Sequence, residues 1–184
     1  SVEEIVRRIR EELKKVEEDS ERIVRTVEDV LRKVLETVER IVRESEKRSR
    51  DAVRRIREKL SDKEKLKEIE DEARKSVEEL RKLLEDVERR VRELVKKARD
   101  LHRRSKEVVD EIRKKVEKLL KDGGSDEVAT RLLKEVKEEL DRLREENERL
   151  LRELKETVEK LKRDAEKVVE DDERLVRELE KRVD

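Results

Sequence analysis

Apolar side chains recur along this chain in steps of three and four, and whole cycles of them repeat every eighteen residues. Val2, Val38 and Ile56 belong to one cycle, Leu66, Leu84 and Leu120 to a second, and Ala129, Ala165 and Val183 to a third. Such steps keep one face of a helix apolar, the pattern of amphipathic helices packed on a shared core. Eighteen residues make five turns at about 3.6 per turn, the period of an undistorted helix, whereas a heptad seam imposes a left-handed supercoil. The pattern predicts an all-α fold: a long, nearly straight antiparallel three-helix bundle with helices over about 2–60, 62–121 and 126–183. Each helix would run roughly 87 Å, with an apolar face of roughly 140°, the width that suits two neighbours. Packed side by side, the three make a single elongated domain over residues 1–184.

Helix ends are marked by capping residues. Ser1 and Glu4 have the spacing of a capping box, in which the serine hydroxyl accepts an otherwise unpaired amide of the first turn. Ser61 and Glu64 repeat it, and this slight break predicts a hairpin between the first two helices; a continuous helix through Ser61 is the alternative. Asp122-Gly123-Gly124-Ser125 is a firmer stop, with glycine for the left-handed position beyond the second helix and Ser125 to cap the third.

Polar residues interrupt the apolar cycles at two heights. Ser20, His102 and Asn147 each replace one member of the three cycles above, and Ser105 interrupts Ile69 and Val87. In an antiparallel bundle these four residues fall at one level. Ser45, Ser49, Ser76 and Asp172 form a second set, Asp172 following Val136 and Leu154 in its cycle. Both sets read as buried hydrogen-bond layers, because buried polar groups require partners. Ser20 is expected to meet His102, His102 to meet Asn147, and Asp172 to accept from Ser45, Ser49 and Ser76. Two alternatives stand beside this: His102 at the seam's edge reaching solvent, and Asp172 in an interrupted core near a fraying end.

Composition narrows the chemistry. Charged residues make up 60% of the chain, 55 acidic against 55 basic, and there is no Cys, Met, Pro or aromatic residue. Balanced, interspersed charge gives no field for nucleic acid or anionic lipid, and no aromatics interleave with the basic residues. No apolar run approaches the roughly 18 residues of a membrane span, and the Ser-Val-Glu-Glu start does not resemble a signal peptide, so a soluble chain of unassigned compartment is expected. One histidine and no cysteine do not make a zinc site, and no metal or cofactor is expected. Ser20 or Ser105 with His102 could be drawn as a catalytic pair, but Asn147 stands where a triad needs its acid.

The eighteen-residue cycles, the Ser-x-x-Glu caps, the Asp-Gly-Gly-Ser loop and a core of Leu, Ile, Val and Ala resemble computationally designed, parametrically built three-helix bundles. The resemblance spans the whole chain, and the polar layers look like designed hydrogen-bond networks. It implies a monomeric structural scaffold without a substrate, not an enzyme. The alternative is a designed interaction module, a cage or one half of a heterodimer, that binds a partner helix. Val77, Val95 and Leu175 at the seam edges hint at it.

Overall fold

The computed structural model describes residues 1–183 and contains three helices among them, α1 (Val2–Lys59), α2 (Lys63–Lys121) and α3 (Asp126–Lys181). All three pack against one another as a helical bundle. The ion pairs show how they run. On α1 and α2, Glu46 pairs with Arg81 and Arg57 with Glu70, so numbers rise on one helix as they fall on the other. Arg48 with Glu173 and Arg55 with Glu180 make α1 and α3 parallel, while Lys97 with Glu153 and Arg104 with Glu146 make α2 and α3 antiparallel.

The helix ends follow local chemistry. Ser1 Oγ accepts the Glu4 amide at 3.3 Å, and the terminal ammonium lies 3.8 Å from the Glu4 carboxylate. At the first break the cap is one residue later than expected. Asp62 Oδ1 accepts the amides of Glu64 and Lys65 at 3.0 and 3.3 Å, and Ser61 is exposed without a capping bond. A carboxylate at the positive end of a helix gains from the dipole as well as from the bonds, which favours Asp62 over its serine neighbour. The second break closes as a Schellman motif, the Gly124 amide donating to the Leu119 carbonyl at 3.0 Å. Gly123 carries the left-handed φ of 66°. Gly124 matters for a different reason: a Cβ there would meet the end of the Leu119 side chain and force it to shift. Ser125 Oγ then accepts the Val128 amide at 3.4 Å and starts α3.

The described residues fall into two compact units. The first comprises Ser1–Val30 and Glu93–Lys155, and its core includes Ile9, Leu13, Val27, Ile112 and Leu140. The second comprises Leu31–Arg92 and the chain from Glu156 onward. Near the α1–α2 turn its core is Ile56, Ile69, Ala73 and Leu179, with Leu60, Leu66 and Leu175 packed on it. Within both units the apolar face is wider than the pattern of threes and fours suggests, because Val6, Leu31, Val42 and Leu83 are buried beside Ile5, Val30, Ile41 and Leu84. Leu120, expected inward as a member of the His102 cycle, is instead 43% exposed while Leu119 is buried. Where two apolar residues are adjacent, helix rotation decides which one faces the core, and Leu119 is held by the Gly124 turn.

Candidate functional site

Six of the eight polar residues are buried where the cycles place them, His102 and Ser76 are half-buried, and the two sets differ in how completely they pair. In the first unit Ser20, Ser105 and Asn147 are 2%, 1% and 6% exposed, and His102 is half-buried. Ser20 Oγ and His102 Nδ1 share a hydrogen bond of 2.7 Å between α1 and α2. The remainder of the expected layer does not form. No hydrogen bond joins Asn147 to His102 among the described residues, and the buried Ser105 hydroxyl has no partner. The cause lies in the His102 cycle, whose members Leu66 and Leu84 are also half-buried. The imidazole therefore sits at the rim of the core, within reach of one neighbour, which is the edge position named above as the alternative.

The second unit contains the fuller network. Asp172 on α3 is 1% exposed, so its carboxyl oxygens must be satisfied within the protein. Ser76 on α2 donates to Oδ1 at 2.6 Å, and Ser49 on α1 donates to Oδ1 and Oδ2 at 3.0 and 3.3 Å. One side chain from each helix thus meets at a single junction. Ser45, expected to donate to Asp172, does not. Its buried oxygen accepts from the Arg48 guanidinium at 3.0 Å, and Arg48 reaches on to Glu173 at 3.2 Å. Ser45 lies one turn from Ser49 on α1, and its hydroxyl oxygen is engaged by Arg48 instead. Arg48 was the residue missed by the sequence reading, and its signal was present: it stands three residues after Ser45, where helical neighbours touch, and Glu173 follows Asp172.

Around these layers the helix flanks carry ion pairs between helices. One of them joins Arg144 to Glu12 at 2.7 Å in the first unit. The hydrogen bond from Arg144, reinforced by its charge and those of Lys15 and Lys137, holds the Glu12 carboxyl below the usual carboxylate range against the opposing effect of burial. The same bond raises the Arg144 guanidinium above its ordinary value.

Chemically, the Ser20–His102 pair has the distance of a nucleophile and its base, but a hydroxyl 2% exposed between two helices is closed to a substrate carbonyl. Among the described residues no group of three or more His, Cys, Asp or Glu side chains is arranged to hold a metal ion, and no helix is long and apolar enough to cross a membrane. Where these polar residues pair between elements, at Ser20–His102 and at Asp172 with Ser49 and Ser76, they join helices. No family model matches this chain, and no curated protein or solved structure matches it either.

Proposed function

We propose that this chain is a structural scaffold of designed origin, a monomeric three-helix bundle whose polar layers set which helix faces meet and at what level. The observation that carries this reading is the junction at Asp172, where one buried carboxyl group takes hydrogen bonds from Ser49 and Ser76 on the two other helices. Apolar contacts are non-directional and tolerate a shift of one turn, because Leu, Ile and Val are interchangeable at modest cost. A buried carboxyl group is not tolerant. Moving α3 by one turn would take Asp172 away from both Ser49 and Ser76, with Ser45 the one buried serine left in reach in one of the two directions, at a cost of several kcal/mol. Polar groups at unique core positions thereby select one register, as a buried polar residue does in coiled coils.

The composition supports designed origin. Core positions draw on a few aliphatic types, charged residues make up 60% of the chain, and no Pro, Cys, Met or aromatic residue is used. Multi-angle light scattering tests the monomer directly. The expected result is one species near 22.3 kDa at every concentration, and a species of twice that mass or more refutes the proposal.

A further inference from the structure

In the second unit a groove of about 490 Å³ runs between α1 and α3. Its floor is Val38 and Ala165, both buried, and its walls include Val34, Ile41, Val158 and Val169, all half-buried. The groove follows from the sequence. Ala165 is a small member of its cycle, and it faces β-branched residues too short to fill the space above it. On α1 the lining runs from Lys33 to Arg48, about 22 Å or four turns of helix. Two parallel helices in contact present a trough suited to one further helix about 10 Å across.

Apart from Arg48, which is engaged by Glu173 and Ser45, the charges lining the groove run from basic to acidic along α1 and α3. Lys33 lies at one end of the α1 lining and Glu44 toward the other, and on α3 Lys162 precedes Glu166 by one turn near the middle. The Ser49–Asp172 and Arg48–Glu173 contacts fix the α1–α3 register that gives this order. None of these four charges has an ion-pair partner among the described residues. At the acidic end the lining Arg48 is itself paired with Glu173, and beyond the groove Arg55 is paired with Glu180. The apolar trough and the unpaired charges therefore coincide.

We propose that this groove is a docking site for a single amphipathic helix of another chain, with acidic residues flanking the first half of its apolar stripe and basic residues the second half. Such a helix lies parallel to α1 and α3, its acids beside Lys33 and Lys162 and its bases beside Glu44 and Glu166. Acid before base also matches the helix's own dipole. The mode is helix-in-groove recognition, with apolar anchors at every third and fourth position. A second copy of this chain is the poorer occupant, because its exposed large hydrophobics among the described residues, Leu120, Val128 and Leu151, form no stripe at three- and four-residue spacing to enter the trough. The inference goes beyond the scaffold reading and does not depend on it.

The test uses the full chain and a fluorescently labelled 20-residue peptide with leucines at three- and four-residue spacing, glutamates flanking its first half and lysines its second. Fluorescence anisotropy should show saturable binding. Thr37→Arg, an exposed change at the groove's edge, should weaken it at least tenfold. Thr26→Arg is the matched control, since both threonines are exposed on α1 and donate to the carbonyl four residues back at 2.8 Å. It should leave binding unchanged. Lys33→Glu with Lys162→Glu should also weaken binding, and a peptide carrying lysine in place of its glutamates should recover it. Circular dichroism melts identical to the parent confirm that each variant is folded. Three results overturn the proposal: no saturable binding to the parent chain, equal loss in the two threonine variants, or a concentration-dependent dimer that Thr37→Arg abolishes, which would assign the groove to a second copy.

Discussion

Replacing Ser76 by Ala removes the closest donor to Asp172, a hydroxyl 2.6 Å from Oδ1. With the carboxyl group 1% exposed, water does not take the donor's place. The expected cost is about 1–3 kcal/mol, the usual penalty for leaving a buried polar group short of a partner. Ser49→Ala, which removes the 3.0 and 3.3 Å contacts, should fall in the same range. Combining them strips Asp172 of both donors and should cost about 3–5 kcal/mol, as for a broken buried pair. Adding Asp172→Val to the double variant should recover most of that loss, since nothing polar then remains unpaired. Asp172→Val alone should be milder than either serine change is on a per-bond basis, because a helical serine can turn its hydroxyl to the carbonyl four residues back. Guanidinium unfolding followed by far-ultraviolet circular dichroism reads these values, and an unchanged m confirms that the compared states are the same. If the double serine variant loses under about 0.5 kcal/mol, or Asp172→Val fails to recover the loss, Asp172 is solvated and the junction does not hold the helices.

The first layer makes the opposite prediction. Ser105 has a buried hydroxyl without a partner, so Ser105→Ala should be neutral or raise stability by up to about 1 kcal/mol; a loss in guanidinium unfolding would reveal a partner. At the α2–α3 turn, Gly123→Ala should cost about 1–2 kcal/mol through its φ of 66°, and Gly123→Asn less, measured by the same unfolding. The Glu12 carboxyl, lowered by its bond from Arg144, gives a pH dependence. Its folded pKa lies below the unfolded one, so this contribution is complete above the unfolded value of 4.5 and fades as pH falls through the folded value. Glu12 is 27% exposed, so solvent screening limits the effect to under about 1 kcal/mol. Unfolding of the parent and Glu12→Gln at pH 7 and pH 3 should show a slightly smaller acid loss in the variant; equal losses refute the assignment.

Periodicity carried most of the fold because a helix converts sequence spacing directly into direction. Ser20, Ser45, Ser49, Ser105, Asn147 and Asp172 are all buried for that reason. Partner choice was less legible. Ser45 and Ser49 share a face, and only the distances show that Asp172 takes Ser49 while Ser45 turns to Arg48. His102 reaches Ser20 but not Asn147 because its cycle runs along the seam's edge, a rotation that the repeat alone does not fix. Adjacent pairs such as Leu119 and Leu120 have the same limit: either residue satisfies the spacing, and the glycine turn chooses. At the first turn Ser61 and Asp62 are both good caps, and the choice of Asp62 follows from its charge at the helix start.

The claim that polar junctions specify the arrangement, while apolar burial stabilises it, is tested most directly by a variant with both layers made apolar: Ser20→Ala, His102→Leu, Ser105→Ala, Asn147→Leu, Ser45→Ala, Ser49→Ala, Ser76→Ala and Asp172→Val. The measurement is its amide NMR spectrum beside that of the parent, with unfolding in guanidinium as the control for stability. The parent should give one set of peaks. The variant should unfold at an equal or higher guanidinium concentration, yet show more than one set of peaks as helices settle in alternative registers. A variant that is equally stable and gives a single set superimposable on the parent's away from the substituted sites would contradict the account, because apolar packing alone would then fix the register.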